Sequence, residues 1–254
     1  MPSKELTAAL EAAQAAASVI RGFYRQGGAV RLKADASPVT QADEAAEAAI
    51  RARLERDFPG YGFYGEESGQ HQMQAESVWL VDPLDGTKSF VRDTPYFSTQ
   101  IALMRAGELV LGVSCAPLCE ELAWAEHGGG AFLNGARVQV SDVTDLGRAV
   151  VSTGNLKSLA RSARWARFGE LIPRLGRIRG YGDFVHYHLL ARGALEVVIE
   201  SDVGILDIAA LTVIVREAGG TFTDLDNAAV GMDTRSVLAS NGQLHQAMHA
   251  ALTR

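Results

Sequence analysis

Three acidic segments hold the residue types that metal and phosphate chemistry needs. Gly65-Glu66-Glu67 follows a turn. Asp82-Pro83-Leu84-Asp85-Gly86-Thr87 follows the apolar run Val78-Trp79-Leu80-Val81, and Asp207 opens the stretch Asp207-Ile208-Ala209-Ala210. In the middle segment a strand would carry Asp82 to a sheet edge. Pro83 imposes extended backbone before it and a turn after it. That turn returns Asp85 towards Asp82, with the Leu84 carbonyl facing the same point. Two carboxylates and a carbonyl are hard oxygen donors of the kind magnesium takes. Gly86-Thr87 then begins a helix-like turn whose N–H groups suit an anion. Together these features describe a metal–phosphate site. Asp, Pro and Gly are also ordinary turn residues, so DPLDG by itself equally describes an Asp-rich turn capping a helix, and paired glutamates are common on surfaces.

The elements that would position these segments alternate along the chain. A helix is expected from Lys4 to Tyr24, stopped by Gly27-Gly28, and a second follows Ser37-Pro38-Val39-Thr40. Thr40 is its N-cap, Asp43 and Glu44 fill its first turn, and apolar positions recur to Leu54. Pro59-Gly60-Tyr61-Gly62 breaks the pattern. From Val78 to Gly135 the runs VWLVD, FSTQIALMR, ELVLGVSCAP and ELAWAEH read as strands. The last third alternates AVVST, a helix near Ser158–Leu171, a helix from about Asp183, the strand ALEVVIE, the helix DIAALTVIVREAG, strands TFTD and SVLAS, and a terminal helix NGQLHQAMHAALTR. The fold class is α/β (α+β), with helices covering sheets in layers. One domain over residues 1–254 is expected, its two halves meeting near Asp142–Gly147.

Composition narrows the function. The 254 residues are 47% hydrophobic and 21% charged, which excludes disordered, collagen-like and coiled-coil chains. With 24 basic and 30 acidic residues the net charge is −6, against a nucleic-acid partner. The densest basic stretch, Arg161 to Arg179, is interrupted by apolar residues at helical spacing and reads as a solvated helix face. No apolar run approaches ~18 residues, so no membrane span is expected. The Ala-rich start lacks the layout of a signal peptide, and a cytoplasmic location is expected. Cys115 and Cys119 have no second pair and read as packing residues. His186 and His188, two apart on a helix, fall on different sides, poorly placed to share a metal, and read as packing or surface residues.

Spaced as they are, GEE, DPLDGT and the LDIAA helix start resemble the inositol monophosphatase superfamily of magnesium-dependent, lithium-sensitive phosphatases. Lys33-Ala34-Asp35-Ala36-Ser37-Pro38-Val39-Thr40-Gln41-Ala42-Asp43 agrees, and the likeness runs beyond Glu217-Ala218-Gly219-Gly220. The resemblance implies a layered αβαβα sandwich of the inositol monophosphatase/fructose-1,6-bisphosphatase type, paired as a homodimer. It implies that Glu66, Asp82, Asp85, the Leu84 carbonyl and Asp207 hold Mg2+. Gly86 and Thr87 would cradle the phosphate, with Lys88 beside them, and Thr87 and Glu66 would orient the attacking water. Asp43 would support Thr87, and Lys33 would lie near the mouth. Such a mechanism suits a doubly anionic monoester, which repels hydroxide until cations neutralise it. If water, phosphorus and leaving oxygen are held in line, no protein nucleophile is required.

Two stretches resemble the histidinol-phosphatase branch. Asp85-Gly86-Thr87-Lys88-Ser89-Phe90 matches its DGTKSF, where inositol phosphatases tend to DGTTNF and nucleotide-bisphosphate enzymes to DGTKEF. Arg179-Gly180-Tyr181-Gly182-Asp183-Phe184 matches its RGYGDF. Asp183 would pair with the cationic amine of L-histidinol phosphate, or act as a helix N-cap, or both. Glu200 stands where the family places an acid for the substrate, and Arg179 would approach the phosphate or pair with Asp183. Leu206 and Ser201 replace the family's usual Trp and Pro, changes that bear on the alcohol pocket. The expected substrate is therefore L-histidinol phosphate, with inositol 1-phosphate or a range of sugar phosphates as the alternative.

Overall fold

The computed structural model describes residues 2–26, 30–32 and 38–253; Lys33 and the Gly27-Gly28 breaker lie outside them. Helix α1 (Lys4–Phe23) is capped by the Ser3 hydroxyl, which accepts the Leu6 N–H, and its buried stripe is mostly alanine. These small side chains admit close packing of α2 (Gln41–Asp57). Between the two helices run β1 (Val30–Leu32) and β2 (Pro38–Thr40), an antiparallel ribbon. Thr40 caps α2 as its residue type predicts, and Asp43 reaches back to the Thr40 N–H to complete a capping box.

The first sheet is formed by β3 (Gly62–Gly65), β4 (Gly69–His71), β5 (Ser77–Asp85), β6 (Ser98–Arg105), β7 (Glu108–Ala116), β8 (Glu121–Glu126), β9 (Gly130–Leu133) and β10 (Ala136–Val138), with the short helix α3 (Thr87–Val91) after β5. Its order is β10-β9-β8-β7-β6-β5-β3-β4, antiparallel except for the parallel pair β3–β5. The second sheet takes β11 (Val150–Thr153), β12 (Arg177–Arg179), β13 (Val197–Ser201), β14 (Thr221–Thr223) and β15 (Ser236–Ser240) in the order β12-β11-β13-β15-β14. The helices that accompany its strands along the chain are α4 (Lys157–Ala160), α5 (Arg164–Leu171), α6 (Asp183–Ala191), α7 (Ile205–Glu217) and α8 (His245–Thr253).

The layers follow from which residues are apolar. Trp79 and Val81 of β5 pack under α1 and α2, while their neighbours Val78 and Leu80 face Ile205, Leu206, Ala209 and Ala210 of α7. A strand covered on both faces needs an unbroken apolar run, which VWLV supplies. Helix α7 is buried on nearly every side, as a helix between two sheets must be. Gly112 of β7 lets it approach, since a Cβ there would lie 2.3 Å from the Ala210 carbonyl oxygen. On the far side, Ile208, Leu211 and Val215 meet Val198, Val237 and Ala239 of the second sheet. Its outer face, Val197, Ile199 and Leu238, is closed by Phe168 and Leu171 of α5 and Met248 and Leu252 of α8. The result is the αβαβα sandwich.

Two local expectations are corrected. The helix expected near Ser158–Leu171 is two helices. Ser162 donates its hydroxyl to the Leu159 carbonyl and accepts the Arg164 N–H, and such local bonds compete with the helical ladder. The end of the basic stretch is also not a helix face, because Arg177–Arg179 forms the edge strand β12, paired parallel with β11. Cys115 is buried, Cys119 half-buried, and both are free thiols.

Candidate active site

The parallel pairing of β3 and β5 brings two acidic segments together. Gly65 lies opposite Val81, so the next residues, Glu66 and Asp82, leave the same sheet end side by side. The Glu66 N–H donates to the Val81 carbonyl at 3.1 Å, and the Glu66 carboxyl lies against that of Asp82. Strand β5 does not end at Asp82, as the sequence suggests, but continues to Asp85 through a bulge. On β6, Gln100 faces Asp82 and Ser98 faces Asp85, so three steps on β5 match two on β6. In a regular strand residues three apart point to opposite faces; the extra residue of a bulge cancels that alternation. Asp82 and Asp85 therefore converge. The Leu84 N–H donates to Asp82 Oδ1 at 2.9 Å, and Thr99 Oγ1 donates to the Pro83 carbonyl at 2.8 Å, which fixes the kink.

Asp207 arrives from the middle layer. It sits in the first turn of α7 and accepts the Gly204 N–H at 2.7 Å. Asp82, Asp85 and Asp207 each offer an oxygen within 4.8 Å of the others. Burial pushes the Asp82 carboxyl well above its ordinary range, aided by Glu66, Asp85 and Asp207. Asp85 is raised likewise by burial and then by Asp183, Asp207, Glu200 and Glu66. Burial pushes Asp207 up to about 6. Carboxylates that destabilise one another in a desolvated cleft, all offering hard oxygens, fit a divalent cation.

Beside them, Gly86 has φ 91°, and a Cβ there would lie 2.7 Å from the Tyr96 carbonyl oxygen, so both conformation and space require glycine. The first N–H groups taken up inside α3 are those of Ser89 and Phe90, both donated to the Gly86 carbonyl. Thr87 Oγ1 is 3.1 Å from Asp43 Oδ1 and 3.1 Å from the Leu84 carbonyl oxygen; its single proton serves one of them at a time. Asp43 is buried, and its desolvation outweighs the hydrogen bonds from Thr40 and Thr87 to raise its pKa.

Sequence reasoning missed Glu47. Buried on α2 one turn after Asp43, it accepts the N–H groups of Glu67 and Ser68, both at 2.8 Å, and so holds the Gly65-Glu66-Glu67 turn. The available signal was an acid on the helix face that carries Ala42, Ala46 and Ile50.

Across the cleft, Asp183 opens α6 at φ 45°. Burial and then Glu200 raise its pKa, against His186 and Lys88. Lys88 is exposed. Glu200 is buried and accepts from Tyr187 Oη at 2.8 Å and the Asn155 N–H at 3.1 Å, with His186 Nε2 at 3.2 Å. Burial opposes its ionisation, yet these partners, His186 foremost, hold its carboxyl below the usual range. Arg179 is exposed and donates to the Ile178 carbonyl; among the described residues it forms no ion pair with Asp183. His186 and His188 do point to different sides, but both are buried and hydrogen-bonded rather than at the surface.

A layered sandwich with an acidic cluster where the first sheet meets α7 is the architecture of a metal-dependent phosphatase family. The model of the inositol monophosphatase family matches residues 1–254, and the chain belongs to that family. It is 44% identical to a histidinol-phosphatase of Mycobacterium tuberculosis, over 84% of each chain. It is 36% identical to an inositol-1-monophosphatase of Rhizobium meliloti, over 89% of this chain and 86% of that one. Among solved structures, the extragenic suppressor protein suhB from Bartonella henselae superposes with a TM-score of 0.92 at 31% identity, over 99% of both chains. Among the described residues no helix is long and apolar enough to cross a membrane.

Proposed function

We propose that this chain is a Mg2+-dependent phosphomonoesterase that hydrolyses L-histidinol phosphate to L-histidinol and phosphate. The convergence of Asp82, Asp85 and Asp207 on one point carries the chemistry. Those three, with Glu66 and the Leu84 carbonyl, would hold the metal. When bound, the cation neutralises the ester, lowers the pKa of water and stabilises the leaving oxygen. The chain's own residues do the rest. Thr87 donates its hydroxyl hydrogen bond to Asp43 or to the Leu84 carbonyl, which leaves an Oγ1 lone pair to accept a hydrogen bond from the attacking water. Glu66 accepts the other, so the water's lone pair turns towards phosphorus. Gly86, Thr87 and Lys88 receive the phosphate oxygens.

The substrate reading rests on Asp183, an acid at the mouth of the cluster whose position suits an ammonium group, and on the relatives named histidinol-phosphatase. Glu200, kept ionised by its three partners, adds negative charge behind Asp183. Inositol 1-phosphate is the alternative, favoured by the inositol-1-monophosphatase relatives. The experiment is phosphate release from L-histidinol phosphate, inositol 1-phosphate and fructose 1,6-bisphosphate with Mg2+. A preference of about 100-fold in kcat/KM, about 2.7 kcal/mol, supports the histidinol assignment; equal rates on all three refute it. A charge-assisted hydrogen bond contributes about 1.5–3 kcal/mol, so Asp183→Asn should cost about 10- to 100-fold on L-histidinol phosphate and leave inositol 1-phosphate unchanged. Asparagine tolerates the left-handed backbone at this position. A single domain over residues 1–254 whose halves meet near Asp142–Gly147, a homodimer and a cytoplasmic location belong to the same reading; light scattering measures the oligomeric state.

A further inference from the structure

Behind Asp85 lies a set of polar side chains that the chemistry above does not use. Ser98, Gln100, Ser114 and His188 are each 2% exposed or less, yet they form one continuous line. Glu121 Oε2 is 2.7 Å from His188 Nδ1, and His188 Nε2 is 2.9 Å from Ser114 Oγ. Gln100 Nε2 is 3.1 Å from Ser114 Oγ and 2.8 Å from Ser98 Oγ, and Ser98 Oγ is 3.5 Å from Asp85 Oδ2. Sheet register builds the line. Asp85 faces Ser98 across β5 and β6, Ser98 and Gln100 share a face of β6, and Gln100 faces Ser114 across β6 and β7.

Donor counting gives the line one direction on each side of Gln100. An ionised Glu121 only accepts, so His188 carries its proton on Nδ1 and presents a bare Nε2 to the Ser114 hydroxyl. Burial lowers the pKa of His188, consistent with the neutral ring. The Gln100 amide donates both protons, one to each serine oxygen, which leaves the Ser98 proton for Asp85. The opposite amide orientation would accept the Ser98 proton and leave Asp85 without it. As oriented, Gln100 Oε1 is buried with no hydrogen-bond partner, a cost of about 1–3 kcal/mol. Apolar side chains would fill these positions without that cost, so stability does not explain the line.

We propose that the line Glu121–His188–Ser114–Gln100–Ser98 positions the Asp85 carboxylate, holding Oδ2 by a hydrogen bond and leaving the other oxygen for the divalent cation. Ser98, Gln100 and His188 are thus positioning residues. The inference rests on reading Asp82, Asp85 and Asp207 as the metal centre. Partners behind a metal ligand are typically worth 10–100-fold in metal affinity, which sets the scale of the test.

The test uses the full chain, with Mn2+ as probe and no substrate, its free concentration read by electron paramagnetic resonance. Melting temperature is measured separately in chelator. Ser98→Ala removes the hydrogen bond to Asp85. Gln100→Met removes both amide donors at similar volume, with no contact to Asp85. Both should raise the Kd for Mn2+ about 10-fold, while Gln100→Met melts in chelator no lower than wild type. An unchanged Kd in Gln100→Met overturns the line even if Ser98→Ala binds weakly, because Ser98 then acts alone. A melting loss with unchanged Kd assigns the residues to packing and overturns it equally. If wild type binds no Mn2+, the metal centre itself fails and the inference falls with it.

Discussion

Asp82 illustrates what residue types reveal and what they conceal. Its pairing with Asp85 is one of two readings that DPLDG allows, the other being an Asp-rich turn capping a helix, and the GEE and LDIAA segments at their spacing decide between them. The means of pairing is not legible: the strand continues past Asp82, and the bulge that aligns the carboxylates depends on the register with β6, a non-local property. In Asp82→Asn one of several mutually repelling charges is gone. The metal-free protein should therefore melt no lower than wild type, while the rise in melting temperature on adding Mg2+ disappears and turnover falls more than about 100-fold, beyond the effect of residues behind a ligand. Calorimetry with and without the cation checks both parts; a large metal-free destabilisation would show that Asp82 serves the fold. Thr87 offers a finer comparison. Thr87→Ala should lower kcat about 10²- to 10⁴-fold, the range for positioned proton transfer, with KM little changed. Thr87→Ser keeps the hydroxyl between Asp43 and the Leu84 carbonyl and should restore most of the rate.

At the scale of elements, α2 does more than cover a sheet. Its first turn holds Thr87 through Asp43, and its second holds the Glu66 turn through Glu47, so one buried helix face sets two parts of the cleft. The helix start was legible from Thr40 and Asp43 because capping is local chemistry. Glu47 was not, since its partners arrive from 20 and 21 residues away. Glu47→Ala leaves two N–H groups without their acceptor and should cost about 1–3 kcal/mol, together with weaker Mg2+ dependence of turnover as Glu66 loses its anchor. Denaturant unfolding measures the first effect and a Mg2+ titration of rate the second; a loss of stability with an unaltered Mg2+ profile would confine Glu47 to the fold. Helix α6 makes the complementary case. The two-residue spacing correctly sends His186 and His188 to different sides, but only the surrounding strands decide what each meets, Glu200 on one side and Ser114 on the other.

For the whole molecule, the layering was legible because strands covered on both faces and a helix covered on all sides leave continuous apolar runs, as in VWLV and DIAALTVIV. The break near Ser162 and the edge strand Arg177–Arg179 left no such trace. The same layering determines where charge is tolerated. His245, at the start of α8 on the outer layer, is buried between Ser240 Oγ and Thr223 Oγ1, both at 3.1 Å. Burial, with a smaller push from His249, lowers its pKa from 6.5 to about 4. The unfolded chain therefore binds a proton between pH 6.5 and about 4 that the folded chain refuses. Stability then rises with pH across that window. The contribution is fully present above pH 6.5 and is lost as the pH falls towards 4. Comparison with His245→Gln, which keeps side-chain hydrogen bonding without titrating there, cancels the acidic cluster, common to both proteins and distant from α8. The melting temperature of wild type should fall more steeply than that of the variant between those limits and in parallel above them. Equal slopes throughout would mean that His245 binds its proton alike in the folded and unfolded chain, and that its burial at the start of α8 does not set the acid limit of the fold.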